Sequence, residues 1–187
     1  MKRFFPLILS ALLFFTSCGS YQNKNKANEI FRTVRENGSL LTLCAEEMEK
    51  FGAERIYVAI EDNKDTEEHD PRLVSYEKES GTRSEIKNES LEKALKDLGL
   101  KLIFFQTAAD ARRCVIFSFE KETFEGIAYG FYYSFDLLPC GWWGREAKLK
   151  KKDGRFLQID KSGNAWYQTV QIENNFYYFE KHGKLVA

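Results

Sequence analysis

The chain predicts an α+β domain in which N-terminal helices pack on a mainly antiparallel sheet, with a meander in the C-terminal half. Three observations predict it. Apolar residues recur at helical spacing from Ile30 to Phe51, and a second, shorter helical stripe runs through Leu91, Ala94, Leu95 and Leu98. Beyond Gly99 the apolar residues come instead in short aromatic and β-branched runs divided by turn residues.

The first stripe joins Ile30, Val34, Leu41, Cys44, Met48 and Phe51 at spacings of three, four or seven. Asn37-Gly38 interrupts it, and Ser39 can cap a new start, so two helices joined by a tight break are expected, with Gly52 ending the second. Cys44 falls on the stripe, where cysteine acts as a small buried hydrophobe. Arg55–Glu61 (RIYVAIE) reads as a strand, Asp62–Arg72 as a charged loop, Leu73–Glu77 as a short strand, and Lys78–Asn88 as a further loop. Ser90 can cap the helix LEKALKDL, which Gly99 stops. The remaining strands are Lys101–Gln106, Cys114–Phe119, Gly126–Phe135, Phe156–Asp160, Ala165–Ile172 and Phe176–Glu180. Turns at Lys161–Asn164 and Glu173–Asn175 separate the last three as a meander. Those last strands carry aromatics on both faces (Trp166, Tyr167, Phe176, Tyr177, Tyr178, Phe179), which leaves one aromatic row outside the core.

Composition narrows the function classes. Lys+Arg and Asp+Glu each number 28 among 187 residues, so the chain lacks the electrostatic footprint of a nucleic-acid binder. The apolar and aromatic content suits a single globular domain.

The N-terminus gives the clearest motif. Lys2 and Arg3 precede an apolar run from Phe4 to Phe15, and Thr16, Ser17, Cys18 and Gly19 follow. That is the charged, apolar and small-residue order of a secretory signal, too short for the roughly 20 residues of a spanning helix. Cysteine at the cut resembles the lipobox of bacterial lipoproteins, with Phe15 standing where that family favours leucine. The resemblance implies a signal peptide over 1–17, a diacylglycerol on Cys18 and membrane attachment through it. It also implies the cell envelope as location, and the outer membrane where the cell has two membranes, since no acidic residue follows Cys18. Residues 18–28 then form a polar lipidated tether (GSYQNKNKAN after the cysteine), and 29–187 the globular domain. The mature chain loses two cations and no anion, which leaves a net charge of −2.

Three further cysteines allow at most one disulfide in an oxidising compartment. Cys114–Cys140 is the preferred pair, and no disulfide at all fits the sequence equally. Cys140 with His182 is the one nucleophile–base combination on offer, faintly similar to cysteine peptidases, although the flanking residues reproduce no peptidase signature. Asp62, Asp65, Glu67, Glu68, His69 and Asp70 with Glu61 lack the spacing of a calcium loop, and His69 alone does not supply the two or more imidazoles or thiolates that zinc prefers, so they read as a solvated loop and no metal or cofactor is expected. Lys148 and Lys150–Lys152 read as a solvated turn before Asp153-Gly154. Trp142 and Trp143, framed by Gly141 and Gly144, cannot both point inward in an extended chain. With Tyr129, Phe131, Tyr132 and Tyr133 upstream they form the candidate partner-binding patch. The expected function is a non-enzymatic binding module at the envelope (an inhibitor, an immunity-type protector or an assembly accessory) with a protein or glycan partner. The alternative is an envelope hydrolase using Cys140 and His182.

Overall fold

The computed structural model describes residues 24–62, 71–107, 112–119, 128–141, 149–159 and 165–183. Among them, two helices and ten strands run in the order α1 (Lys24–Lys50), β1 (Arg55–Asp62), β2 (Pro71–Glu77), β3 (Arg83–Glu85), α2 (Glu89–Asp97), β4 (Leu102–Thr107), β5 (Arg113–Ser118), β6 (Ala128–Ser134), β7 (Lys150–Lys152), β8 (Arg155–Ile159), β9 (Trp166–Glu173) and β10 (Phe176–His182). The ten strands make one sheet ordered β3-β2-β1-β4-β5-β6-β10-β9-β8-β7. Neighbours are antiparallel throughout. The fold is thus α+β in class and dominated by its sheet.

The first apolar stripe folds as expected, with a kink. Asn37 leaves helical geometry (φ −124°, ψ 16°), and its Nδ2 donates to the Thr33 carbonyl at 3.0 Å. The amide thus takes up a carbonyl that the interrupted ladder leaves open. Ile30, Val34, Leu41, Cys44 and Met48 are all buried. The helix starts earlier than the expected boundary at residue 29. Ala27, three residues before Ile30, extends the same stripe and is fully buried, so the segment from Lys24 belongs to the fold and not to a tether. Phe51, expected on that stripe, lies past the last helical residue and is 37% exposed. Gly52 then turns the chain at φ +69°, a conformation in which a side chain would be strained. The second helix is capped by Asn88 and not by Ser90: extended Asn88 accepts the Leu91 N–H at 3.1 Å.

Strand alternation divides the core in two. Ile56, Val58, Ile103, Phe105, Val115, Phe117, Phe131 and Tyr178 face α1 and α2 and form the larger cluster with them. Cys114, Ile116, Tyr132, Tyr177 and Phe179 point to the opposite face and pack with Cys140, Ala165 and Tyr167. Gly130 lies between strands where a Cβ would come within 2.9 Å of both the Phe117 carbonyl and the Phe179 ring, so only glycine fits. The aromatic row expected outside the core is inside it: Tyr167, Phe176, Tyr177, Tyr178 and Phe179 are at most 3% exposed, because the helix-free face has its own cover.

Two strands lie where loops were expected. β3 falls within Lys78–Asn88, and β7 within the lysine run, where Lys150–Lys152 pair with β8 across an Asp153-Gly154 turn. Both turn residues have positive φ (50° and 77°), the hairpin geometry that Asp-Gly favours. The expected turn at 161–164 lies outside the described residues.

Candidate binding site: a strained loop strapped over the helix-free face

After β6 the chain leaves the sheet at Ser134 and folds back over the helix-free face as far as Gly141. Where a loop packs on a sheet in this way, its buried backbone polar groups need partners from the protein. Four consecutive carbonyls find four different donors. The Tyr177 hydroxyl donates to Leu137 O at 2.6 Å. The Ser134 hydroxyl lies 2.7 Å from Leu138 O and from Asp136 Oδ1. Arg112 Nη1 donates to Pro139 O at 2.5 Å, and the Tyr167 hydroxyl donates to Cys140 O at 3.1 Å.

The buried Cys140 amide of the strap is answered by a relay. The Cys140 N–H donates to the Tyr132 hydroxyl at 3.0 Å. Thr169 Oγ1 gives its own proton to Tyr178 O at 2.8 Å, so the 3.0 Å contact between the two hydroxyls runs from Tyr132 to Thr169. Such a chain needs a protonated phenol at Tyr132. Burial holds the hydroxyls of Tyr132 and Tyr167 well above the ordinary tyrosine range, with neighbouring ionisable groups adding to the shift, and so keeps both neutral.

This anchoring forces one unusual backbone. Leu137 adopts φ +62°, a left-handed geometry that costs a branched side chain on the order of 1–2 kcal/mol. Asp136 Oδ1 accepts the Leu138 N–H at 3.1 Å and closes the turn. As a result Leu137 and Leu138 stand outward, 56% and 49% exposed, while Pro139 and Cys140 next to them are buried. Two adjacent leucines held in water by a buried network, at the cost of strain, are a built feature of the surface.

A second exposed feature continues the same face. Direct cross-strand partners link Tyr177, Tyr132, Ile116, Phe104, Tyr57 and Tyr76 in one row. Under the strap the row is closed, with Tyr132 fully buried; at its far end Tyr76 is 43% exposed. Tyr57 and Phe104 stack at 4.2 Å with planes 6° apart. Beside them Arg72 pairs with Glu85 at 3.0 Å, and Arg83 with Glu61.

The expected site residues fall as follows. Cys18, Trp142 and Trp143 lie outside the described residues, as do 63–70 of the acidic loop and Lys148. Phe131 and Tyr132 are core residues and not part of an exposed patch. Cys114 and Cys140 share the second cluster but are not bridged by a disulfide, which corrects the preferred pairing. Cys140 Sγ turns instead to Ser134 Oγ at 4.0 Å, and Ser134 is the direct cross-strand partner of Cys114. Cys140 and His182 are not brought together: alternation along β10 puts His182 on the side opposite Phe179 and Cys140, where its ring stacks on Trp166 at 6.0 Å. The third described thiol, Cys44, is pushed up to about 12 by burial, then by Glu47, and donates to Ser90 O at 3.2 Å. No group of metal-binding side chains occurs among the described residues. The strap itself was missed in the sequence, although Pro139 and the three tyrosines were visible there. No family model, curated protein or solved structure matches the chain.

Proposed function

We propose that the protein is an envelope lipoprotein, attached to the membrane through a diacylglycerol on Cys18, whose domain is a non-enzymatic binding module. The attachment rests on the lipobox-type sequence that ends in Ser17-Cys18-Gly19. The binding role rests on one observation: Leu137 and Leu138 are held exposed by a strained backbone that a buried network enforces. Exposed apolar area that could have been buried forgoes roughly 25 cal/mol per Å², and strain that the surroundings enforce collects at functional sites. An apolar patch on an envelope protein is the complementary partner surface, and the leucine pair would fill a pocket there as an anchor does in a protein interface.

Two measurements test this reading. Mass spectrometry of the mature N-terminus should find an acylated Cys18, and Cys18→Ala should move the protein out of the membrane fraction. A photo-reactive residue in place of Leu138 should give a discrete cross-linked adduct in intact cells, and the same residue at Asp153 should not. A wild type free of lipid, or no adduct from position 138, would overturn the corresponding half.

A further inference from the structure

The two ends of the strands differ, and the difference gives the domain an orientation. β6 starts, and β10 ends, at the end of the sheet where α1 begins: along α1, Phe31 meets Tyr178 at 5.7 Å while Gly38 lies against Glu173, by the hairpin that precedes β10, and Lys26 lies near Tyr129, which pairs with Glu180 two residues before His182. The last row of side chains at this end is Ile159, Trp166 and His182, direct cross-strand partners. Ile159 is 61% exposed, more than any other large apolar residue among the described ones. Trp166 and His182 are partly exposed, with their rings stacked. Cations stand at the same end of the sheet. Lys24 and Lys150 are exposed, and Lys26 keeps 45% of its side chain in water beside Glu29. Among the described residues, the first turn of α1 holds no acidic side chain to offset the positive end of the helix dipole.

Five residues lie between Cys18 and Lys24, a span of at most about 20 Å when fully extended. If Cys18 carries lipid, this end of the sheet is therefore the end beside the bilayer. An exposed isoleucine, a tryptophan with one polar atom and several lysines are the side chains that settle at a headgroup boundary, the first into its apolar side and the last against its anions.

We infer that the Ile159–Trp166–His182 end of the sheet, with Lys24, Lys26 and Lys150, lies against an anionic lipid surface. This inference rests on the lipoprotein reading and adds a fixed posture to it. Leu137 and Leu138 follow the other end of β6, one strand length away, roughly 20 Å. The domain thus presents them away from the membrane.

The test uses the lipidated full chain, extracted in detergent and reconstituted into vesicles with and without phosphatidylglycerol. Ile159→Cys and Asn174→Cys carry a solvent-sensitive dye; native labelling is selective because Cys44, Cys114 and Cys140 are buried. Asn174 is exposed in the hairpin at the opposite end of β10. Iodide quenching at 159 should fall about threefold on anionic vesicles and stay unchanged at 174. Lys24→Glu with Lys26→Glu should restore most of the quenching at 159 while the protein still floats with the vesicles. Equal quenching at the two positions, in protein that does float, overturns the posture and leaves the anchor standing. Protein that fails to float overturns both.

Discussion

The two faces of the sheet are closed by different physics. On one, α1 and α2 lay apolar stripes on aliphatic and aromatic side chains, and each helix satisfies its own backbone. On the other, a short irregular strap does the covering, and its carbonyls depend on hydroxyl and guanidinium donors that rise from the sheet or flank it. A helix brings its hydrogen bonds with it; a loop must be supplied with them. The second face is therefore specific where the first is merely stable, and it covers only half of its aromatic row.

Substitutions should separate the two. Phe131→Ala, on the helix-covered face, should cost about 3–5 kcal/mol and lower the urea midpoint of the whole domain. A local loss with intact α1 amide protection would mean that this face is not one cooperative core. Gly130→Ala should cost on the order of 1–3 kcal/mol, because the Phe117 carbonyl cannot step aside; its calorimetric Tm is the check. Tyr132→Phe leaves the Cys140 N–H without its acceptor and should cost about 1–3 kcal/mol. Hydrogen exchange should quicken at Cys140 while α1 amides keep their protection. Uniform quickening would erase the distinction between the faces.

Alkali should strain both faces at once. Folded Cys44 holds its proton to about pH 12 against an ordinary 9.0. Tyr132 and Tyr167 are raised well above 10.0. The unfolded chain gives up these protons first, so stability is full below about pH 9 and declines as pH climbs toward 12. Urea midpoints measured from pH 8 upward should fall, less steeply in Tyr132→Phe and in Cys44→Ala; a flat profile in the wild type would contradict the burial of these groups. The smallest effect belongs to Leu137→Gly. Relief of the left-handed strain offsets the greater freedom of unfolded glycine, so Tm should hold or rise by a degree or two, equivalent to about 0.5 kcal/mol. The cross-link from position 138 should nevertheless weaken.

Much of the helix-covered face was legible in the chain. The stripe from Ile30 to Met48, the break at Asn37, the stop at Gly52 and most strands follow from local periodicity and turn residues. What escaped has a common reason. Arg83-Ser84-Glu85 and Lys150–Lys152 have no buried side to alternate with, so they read as loops although their backbones pair. Ser90 and Asn88 are equally good caps by residue type, and only tertiary placement chooses Asn88. The strap is the extreme case. Leu137 carries no mark of positive φ, and Tyr132, Tyr167 and Tyr177 read as core aromatics, since the partners of their hydroxyls are set by register.

The lysine strand has a consequence for how copies of this chain live beside one another. β3 and β7 stand at the two ends of the strand order, each with one side of its backbone unpaired among the described residues. Such borders recruit foreign strands and seed polymers, the more so among crowded molecules. Here one border reads Lys150-Lys151-Lys152 and the other Arg83-Ser84-Glu85, all exposed. A second copy approaching lysine border to lysine border meets like charge at every position, so this border resists extension of the sheet from one molecule into the next.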